Sequence, residues 1–112
     1  MTVHVTTSLV NSFVDSVNRR DVEGVVALFD DRSVVVDDAT EHRGRDQIRR
    51  WIDDQMVTPR ITIAVTDFES SGSAARMTAD SDGDFPGAPL PFRYRFTLGD
   101  ETIHRLEVEL AR

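Results

Sequence analysis

Residues 13–52 read FVDSVNRRDVEGVVALFDDRSVVVDDATEHRGRDQIRRWI, and the spacing of their apolar positions decides the fold. With Leu9 and Val10 just upstream, Phe13, Val14 and Val17 make an i, i+3/i+4 stripe that predicts a first helix over 8–18. Thr6, Thr7 and Ser8 offer caps for it. Asn18-Arg19-Arg20 ends it, and Asp21 caps a second helix reaching about residue 29, with Val22, Val25, Val26 and Phe29 on one face. Gly24 inside that helix costs about 1 kcal/mol against Ala, which suggests a close helix crossing. Asp30-Asp31 opens a turn, residues 33–37 read as a short strand with three consecutive valines, and 38–44 reads as a loop. A third helix follows over 46–56, with Ile48, Trp51, Ile52 and Met56 inward. Thr58-Pro59 stops it, because a residue before Pro resists the α region.

Downstream the period changes to two. Ile61, Ile63 and Val65 alternate, while Phe68 is out of phase, which predicts a bulge or a twist near Asp67. Residues 70–72 make a hairpin turn, 74–80 a weak strand and 82–91 a Gly/Pro-rich loop or strand edge. Phe92, Tyr94, Phe96 and Leu98 alternate with Arg93, Arg95 and Thr97, and Gly99-Asp100 turns the chain. The last strand carries Ile103, Leu106, Val108 and Leu110, with a phase slip near His104. The expected class is α+β: three helices of the N-terminal half packed on a strongly curved, mostly antiparallel sheet, forming a cone with an internal pocket.

The 112 residues, expected to form a single domain over 1–112, suffice for a core burying about two-thirds of the unfolded surface. Residues 1–5, with His4, are expected to fray. There is no Cys, hence no thiol nucleophile or disulfide framework. All 13 basic residues are Arg, so no Schiff-base or P-loop lysine is available. The formal charge of −7 disfavours a nucleic-acid partner. No apolar run approaches the ~20 residues of a membrane span, and the first residues do not read as a signal peptide, so a cytoplasmic location is expected. No cofactor is called for.

Within 13–52, the helix-turn-helix pattern of Asn18, Asp21, Gly24, Leu28 and Phe29, the strand ending in Asp, and the Gly44-Arg45-x-x-Ile48 helix entry resemble the nuclear-transport-factor-2-like superfamily, in its SnoaL-like and ketosteroid-isomerase-like branch. The second half resembles it by topology. The motif speaks for the fold more than for an activity, since this fold hosts isomerases, cyclases, dehydratases, epoxide hydrolases and noncatalytic binders. The resemblance implies a carboxylate base at the end of the first strand, which is Asp37 here. In general, a carboxylate facing an apolar cavity loses hydration and is poised to take a proton from an acidic carbon; the competing reading is that Asp37-Asp38 solvates a turn. The resemblance also implies an oxyanion hole from a first-helix Tyr and a late-strand Asp. Phe13 stands at the first place and no Asp lies over 92–98, so steroid isomerase activity itself is not expected. Tyr94 is a replacement donor or a rim residue. Phe13, Phe29, Trp51, Phe92 and Phe96 are expected to line the pocket, and the ligand to be small, apolar, and polyketide- or steroid-like.

His42 is a partner for Asp37 or Asp38, or an exposed loop residue. The three His are too far apart in sequence for a metal motif, and residues 80–91 fail the calcium-loop pattern, with Gly at the fourth position and Pro91 at the twelfth. That segment, with Phe85, is a lid or a solvated loop. Arg76, Asp80 and Asp37 are a remote version of an epoxide-hydrolase triad. Arg93 and Arg95 should pair across strands with Glu107 and Glu109, on a face that is either solvated or the seam of a homodimer. Three roles stay open: an acid–base enzyme, a noncatalytic pocket protein, and a dimeric interaction module.

Overall fold

The computed structural model describes residues 7–111; His4 and the expected fraying of 1–5 lie outside them. Helix α1 (Ser8–Asn18) and a short α2 (Val22–Val26) precede strand β1 (Val34–Asp37). Strand β2 (Thr40–Arg43) returns antiparallel to it and runs into α3 (Gly44–Ile52), which continues as a wider π-helical turn over Asp53–Val57. Four long strands finish the chain: β3 (Thr62–Ser71), β4 (Ala74–Asp82), β5 (Leu90–Leu98) and β6 (Ile103–Leu110). The sheet order is β2-β1-β6-β5-β4-β3, antiparallel except where β1 lies parallel to β6. The fold is therefore the α+β class expected, with three helices on a curved, open six-stranded sheet.

The helices bury their stripes on one sheet face. Val10, Phe13 and Val17 of α1 and Ile48, Trp51 and Ile52 of α3 meet Met77, Tyr94, Phe96 and Leu106 in one core. The Phe13 ring packs edge-on against Phe96 and Tyr94, at 5.5 and 6.1 Å between centroids. Both irregularities expected in the sheet occur. Register slips between Val65 and Asp67 against β4, and between Thr97 and Leu98 against β6, where His104 is the extra residue and stays exposed.

Several boundaries differ from expectation. The second helix ends at Val26, after which i→i+3 bonds from Leu28 and Phe29 tighten the chain. Residues 40–43, expected as loop, are β2, because Asp38 and Ala39 both take left-handed backbone (φ 51° and 61°) in a two-residue hairpin turn. Helix α3 starts earlier, at Gly44, whose φ of 78° turns β2 into the helix. Strand β4 runs on to Asp82, past its expected end at Asp80. Gly24 has a double reason: a Cβ there would lie 2.5 Å from Asp21 Oδ2 and 2.9 Å from Ser16 Oγ. The Asp21 carboxylate caps α2 by accepting from Gly24 N at 3.0 Å.

Candidate functional site

In a strand, alternate residues share a face. Val35 is fully buried, so Asp37, two residues on, also points inward, at the last position of β1 before the left-handed turn. Its partner comes from α3: the Trp51 indole Nε1 donates to Asp37 Oδ2 at 2.8 Å. That bond fixes one carboxylate oxygen, and among the described residues Oδ1 has no hydrogen-bond partner.

Asp37 lines three spaces: an inner cavity, its mouth, and a third beside Phe92, Arg95, Glu107 and Glu109. The inner cavity, about 330 Å³, has walls of Met56, Pro59, Ile61, Phe85, Phe92 and Val108, with Ser81 and Tyr94 inside and Asp54 and Gln55 at its edge. The mouth, about 510 Å³, shares Asp37, Asp54 and Gln55 with it and adds Asp38, Thr40, His42, Gln47, Arg50 and Trp51. The inner volume is at the small end of ligand sites, which run to about 300–1,000 Å³ and are mostly apolar with a few placed polar groups. The π-helical turn sets the edge, since Asp54, Gln55 and Met56 all belong to it. Such turns recur where a helix must re-aim side chains at a site.

Tyr94 is 1% exposed and its hydroxyl lies 3.4 Å from Ser81 Oγ. Burial pushes the phenol up to about 12; the Ser81 hydrogen bond opposes this and the charge on Asp37 adds to it. At neutral pH Tyr94 is therefore a neutral hydrogen-bond donor.

The candidate residues divide. Asp37, Tyr94 and Phe92 line the inner cavity, and His42 and Trp51 the mouth. Phe13 and Phe29 are fully buried in the core and Phe96 is buried beside them, so these three support the cavity walls from behind rather than line them. Among the described residues no hydrogen bond joins His42 to Asp37 or Asp38. The indole holds Asp37 instead, and the imidazole lies 6.3 Å from it, tilted by 38°. The Arg76–Asp80–Asp37 trio is not assembled: Arg76 and Asp80 are exposed on the outer sheet face, where Arg76 pairs with Glu69. That face carries part of the expected cross-strand pairing: Arg93 and Arg95 both reach Glu109, at 3.1 and 3.3 Å, while Glu107 pairs with Arg105 of its own strand. Phe85 does reach the cavity from the 83–89 segment, which is tied to the end of α3 by Asp84 N donating to Pro59 O at 2.7 Å. Sequence reasoning missed Ser81, Asp54 and Gln55. Ser81 was findable, since it continues the inward phase of Ala75, Met77 and Ala79. Asp54 and Gln55 carried no signal, because a π-helical turn has no distinctive sequence period.

A cone of helices on a curved sheet, with a strand-end carboxylate at the neck of an apolar cavity, defines the nuclear-transport-factor-2-like, ketosteroid-isomerase-like class of fold. Within that class the chain belongs to the SnoaL-like domain family, whose profile matches residues 10–106. A candidate polyketide cyclase from Sinorhizobium meliloti is similar in structure, with a TM-score of 0.86 and 28% identity over 92% of this chain and 94% of that one. A ketosteroid-isomerase-like-fold protein from Catenulispora acidiphila, in complex with trimethylamine, gives a TM-score of 0.83 at 19% identity, over 96% and 88%. TerC co-crystallised with polyporic acid gives 0.79 at 16% identity, over 92% and 88%. No curated protein matches the sequence. Among the described residues no helix is long and apolar enough to cross a membrane.

Proposed function

We propose that the chain binds a small, apolar, polyketide-like carbonyl compound and acts on it by acid–base chemistry, with Asp37 as general base. The observation that carries this reading is the position of Asp37, clamped through Oδ2 by Trp51 at the edge of the apolar cavity, with Oδ1 unclaimed among the described residues. In the proposed step Oδ1 takes a proton from the carbon next to a carbonyl. The C–H electron pair forms a new C=C bond as the π pair of the C=O bond moves onto the carbonyl oxygen, giving an enolate. Return of the proton at another carbon is an isomerisation; attack of the enolate carbon on a second carbonyl is a cyclisation. His42, which lines the same mouth as Asp37, would pass protons to solvent. The likeness to a candidate polyketide cyclase and to a polyporic-acid complex supports the ligand class.

The test is proton exchange. Wild type in heavy water should exchange deuterium into the α-carbon of a bicyclic ketone such as α-tetralone, followed by NMR, and Asp37→Asn should not. A thermal-shift panel of steroid enones, aromatic polyketides, terpene epoxides and phenolic enolate mimics gives binding separately. Binding that survives Asp37→Asn, with no exchange by wild type, makes the chain a noncatalytic pocket protein instead. Self-association through the outer sheet face is a separate reading, favoured by the Arg93–Glu109–Arg95 ladder there. A wild-type dimer by ultracentrifugation that Arg95→Glu dissociates supports it; a wild-type monomer ends it.

A further inference from the structure

We propose that Phe85 is an end-stop that determines specificity: its ring closes the inner cavity at a size that admits about two fused rings and excludes four. This deepens the reading of the cavity as a small-molecule site and rests on it. Among the described residues Phe85 is the one cavity wall supplied by the connection between β4 and β5; the other apolar walls come from the π-helical turn and its exit (Met56, Pro59, Ile61) and from strands (Phe92, Val108). Phe85 packs against the core yet stays half-buried, so its ring stands between the cavity and solvent. The chain on either side of it is pinned. Gly83 lies so close to the exit of the π-helical turn that a Cβ there would come within 2.6 Å of Pro59 O and 2.9 Å of Ile61 Cδ1. Asp84 N donates to the same Pro59 O at 2.7 Å. On the other side Ala88 N donates to Phe85 O at 3.3 Å, closing a turn over Pro86 and Gly87, the latter with φ of 83°. Pro followed by a residue of positive φ makes a type II turn, which is stiff at both central positions. The ring is therefore held as a fixed wall rather than hung on a loose loop.

Volume then sets the ligand. A cavity of about 150 Å³ holds one benzene ring. The inner cavity, about 330 Å³, therefore has room for about two rings and not for four. A larger ligand cannot spill cheaply into the neighbouring spaces. The mouth is lined by Asp38, Gln47 and Arg50, and the third space by Arg95, Glu107 and Glu109. Fused apolar rings there would strip water from charged groups without pairing them. Phe85 is thus the place where the cavity can be enlarged. Removing its ring adds the volume of one ring and alters no helix or strand.

The experiment measures binding by calorimetry for three neutral ligands of increasing size: α-tetralone with two rings, its linear benzo-fused homologue with three, and androstenedione with four. The proteins are wild type, Phe85→Ala, Phe85→Leu, Phe85→Trp and Asp37→Asn. Wild type should bind tetralone about tenfold or more tighter than androstenedione, the size of one apolar ring left unburied. Phe85→Ala should move the optimum to three rings, raising the affinity of the homologue relative to tetralone about tenfold. Phe85→Leu should shift the same ratio in the same direction by less, and supplies the comparison if Phe85→Ala does not fold. Phe85→Trp should weaken tetralone. A residue that merely supported the fold would weaken all three ligands together and leave their order unchanged. Asp37→Asn should keep the wild-type size order even where deuterium exchange is lost, so failure of the base and failure of the end-stop give different results. Androstenedione binding wild type as tightly as tetralone, a three-ring to two-ring ratio indifferent to both Phe85→Ala and Phe85→Leu, or no tetralone binding to wild type would each overturn the proposal.

Discussion

The Trp51 indole N–H donates to Asp37 Oδ2 across 2.8 Å, tying the last turn of α3 to the last residue of β1. The bond joins an inward stripe on a helix to an inward phase on a strand, so its two halves are set by different periodicities. Trp51 is 1% exposed, and shortening it to Phe removes both the donor and part of a packed ring. Trp51→Phe should lower unfolding free energy in urea by about 2–3 kcal/mol. Asp37→Asn keeps an acceptor for the indole and should cost no more than about 1 kcal/mol. If Asp37→Asn costs as much as Trp51→Phe, the carboxylate is a structural element rather than a reactive group held in place.

The turn that follows Asp37 stores strain. Ala39 has φ of 61°, a conformation that disfavours a residue with a Cβ by about 1–2 kcal/mol. Gly adopts it freely but has more freedom to lose from the unfolded chain. Ala39→Gly should therefore stabilise the protein by a net 0.5–1 kcal/mol, roughly, measured as a raised urea midpoint at unchanged slope. A destabilised Ala39→Gly would mean that the Ala39 methyl group makes a contact that outweighs the strain.

That turn also shows where the sequence stops being informative. Asp-Ala lacks the Asn-Gly or Asp-Gly signature of a two-residue hairpin, and Glu41 and Arg43 give β2 no apolar phase of its own, so residues 40–43 read as loop. By contrast, the Val65/Asp67 and His104 slips were legible, because a break in the alternation of an otherwise regular strand requires an extra residue in it. For the site, the position of Asp37 on the strand was legible but its partner was not. Trp51 reads as core from its helical spacing, and nothing local says that its N–H points at a carboxylate 14 residues away. The aromatic residues divide for a similar reason. Phe13, Phe29 and Phe92 are alike as letters, and only the tertiary packing puts the first two behind the wall and the third on it.

Asp30 closes the α2–β1 turn onto the β5–β6 hairpin. One of its carboxylate oxygens accepts from Arg32 N at 2.9 Å and the other from Thr102 Oγ1 at 3.2 Å. The Arg32 N–H bond holds this carboxyl below its ordinary value, partial burial opposing it and Ser33, Thr102 and nearby His104 adding to it. A carboxylate lowered on folding contributes stability that is fully present above its unfolded value and fades as pH falls through the folded one. The urea midpoint should therefore drop below about pH 4. Asp30→Asn should flatten part of that drop and leave the midpoint at pH 9 less affected. An acid limb identical in wild type and Asp30→Asn would assign the drop to other carboxylates.

Tyr94 makes the opposite prediction at the alkaline end, and it is the chain's one tyrosine, so its titration reads without overlap. Its phenol is held near 12 in the folded protein against an ordinary value of 10.0. Between those two values the unfolded chain releases the proton and the folded chain keeps it, so stability falls as pH rises through that window. The difference amounts to as much as about 3 kcal/mol, lost progressively above pH 10. Tyrosinate absorbance should stay low in the folded protein where a free phenol is already ionised, then rise together with loss of the helical circular dichroism. Tyr94→Phe removes the ionising group, and its urea midpoint should decline less steeply over the same range. Early tyrosinate absorbance with the fold intact would mean that solvent reaches the hydroxyl.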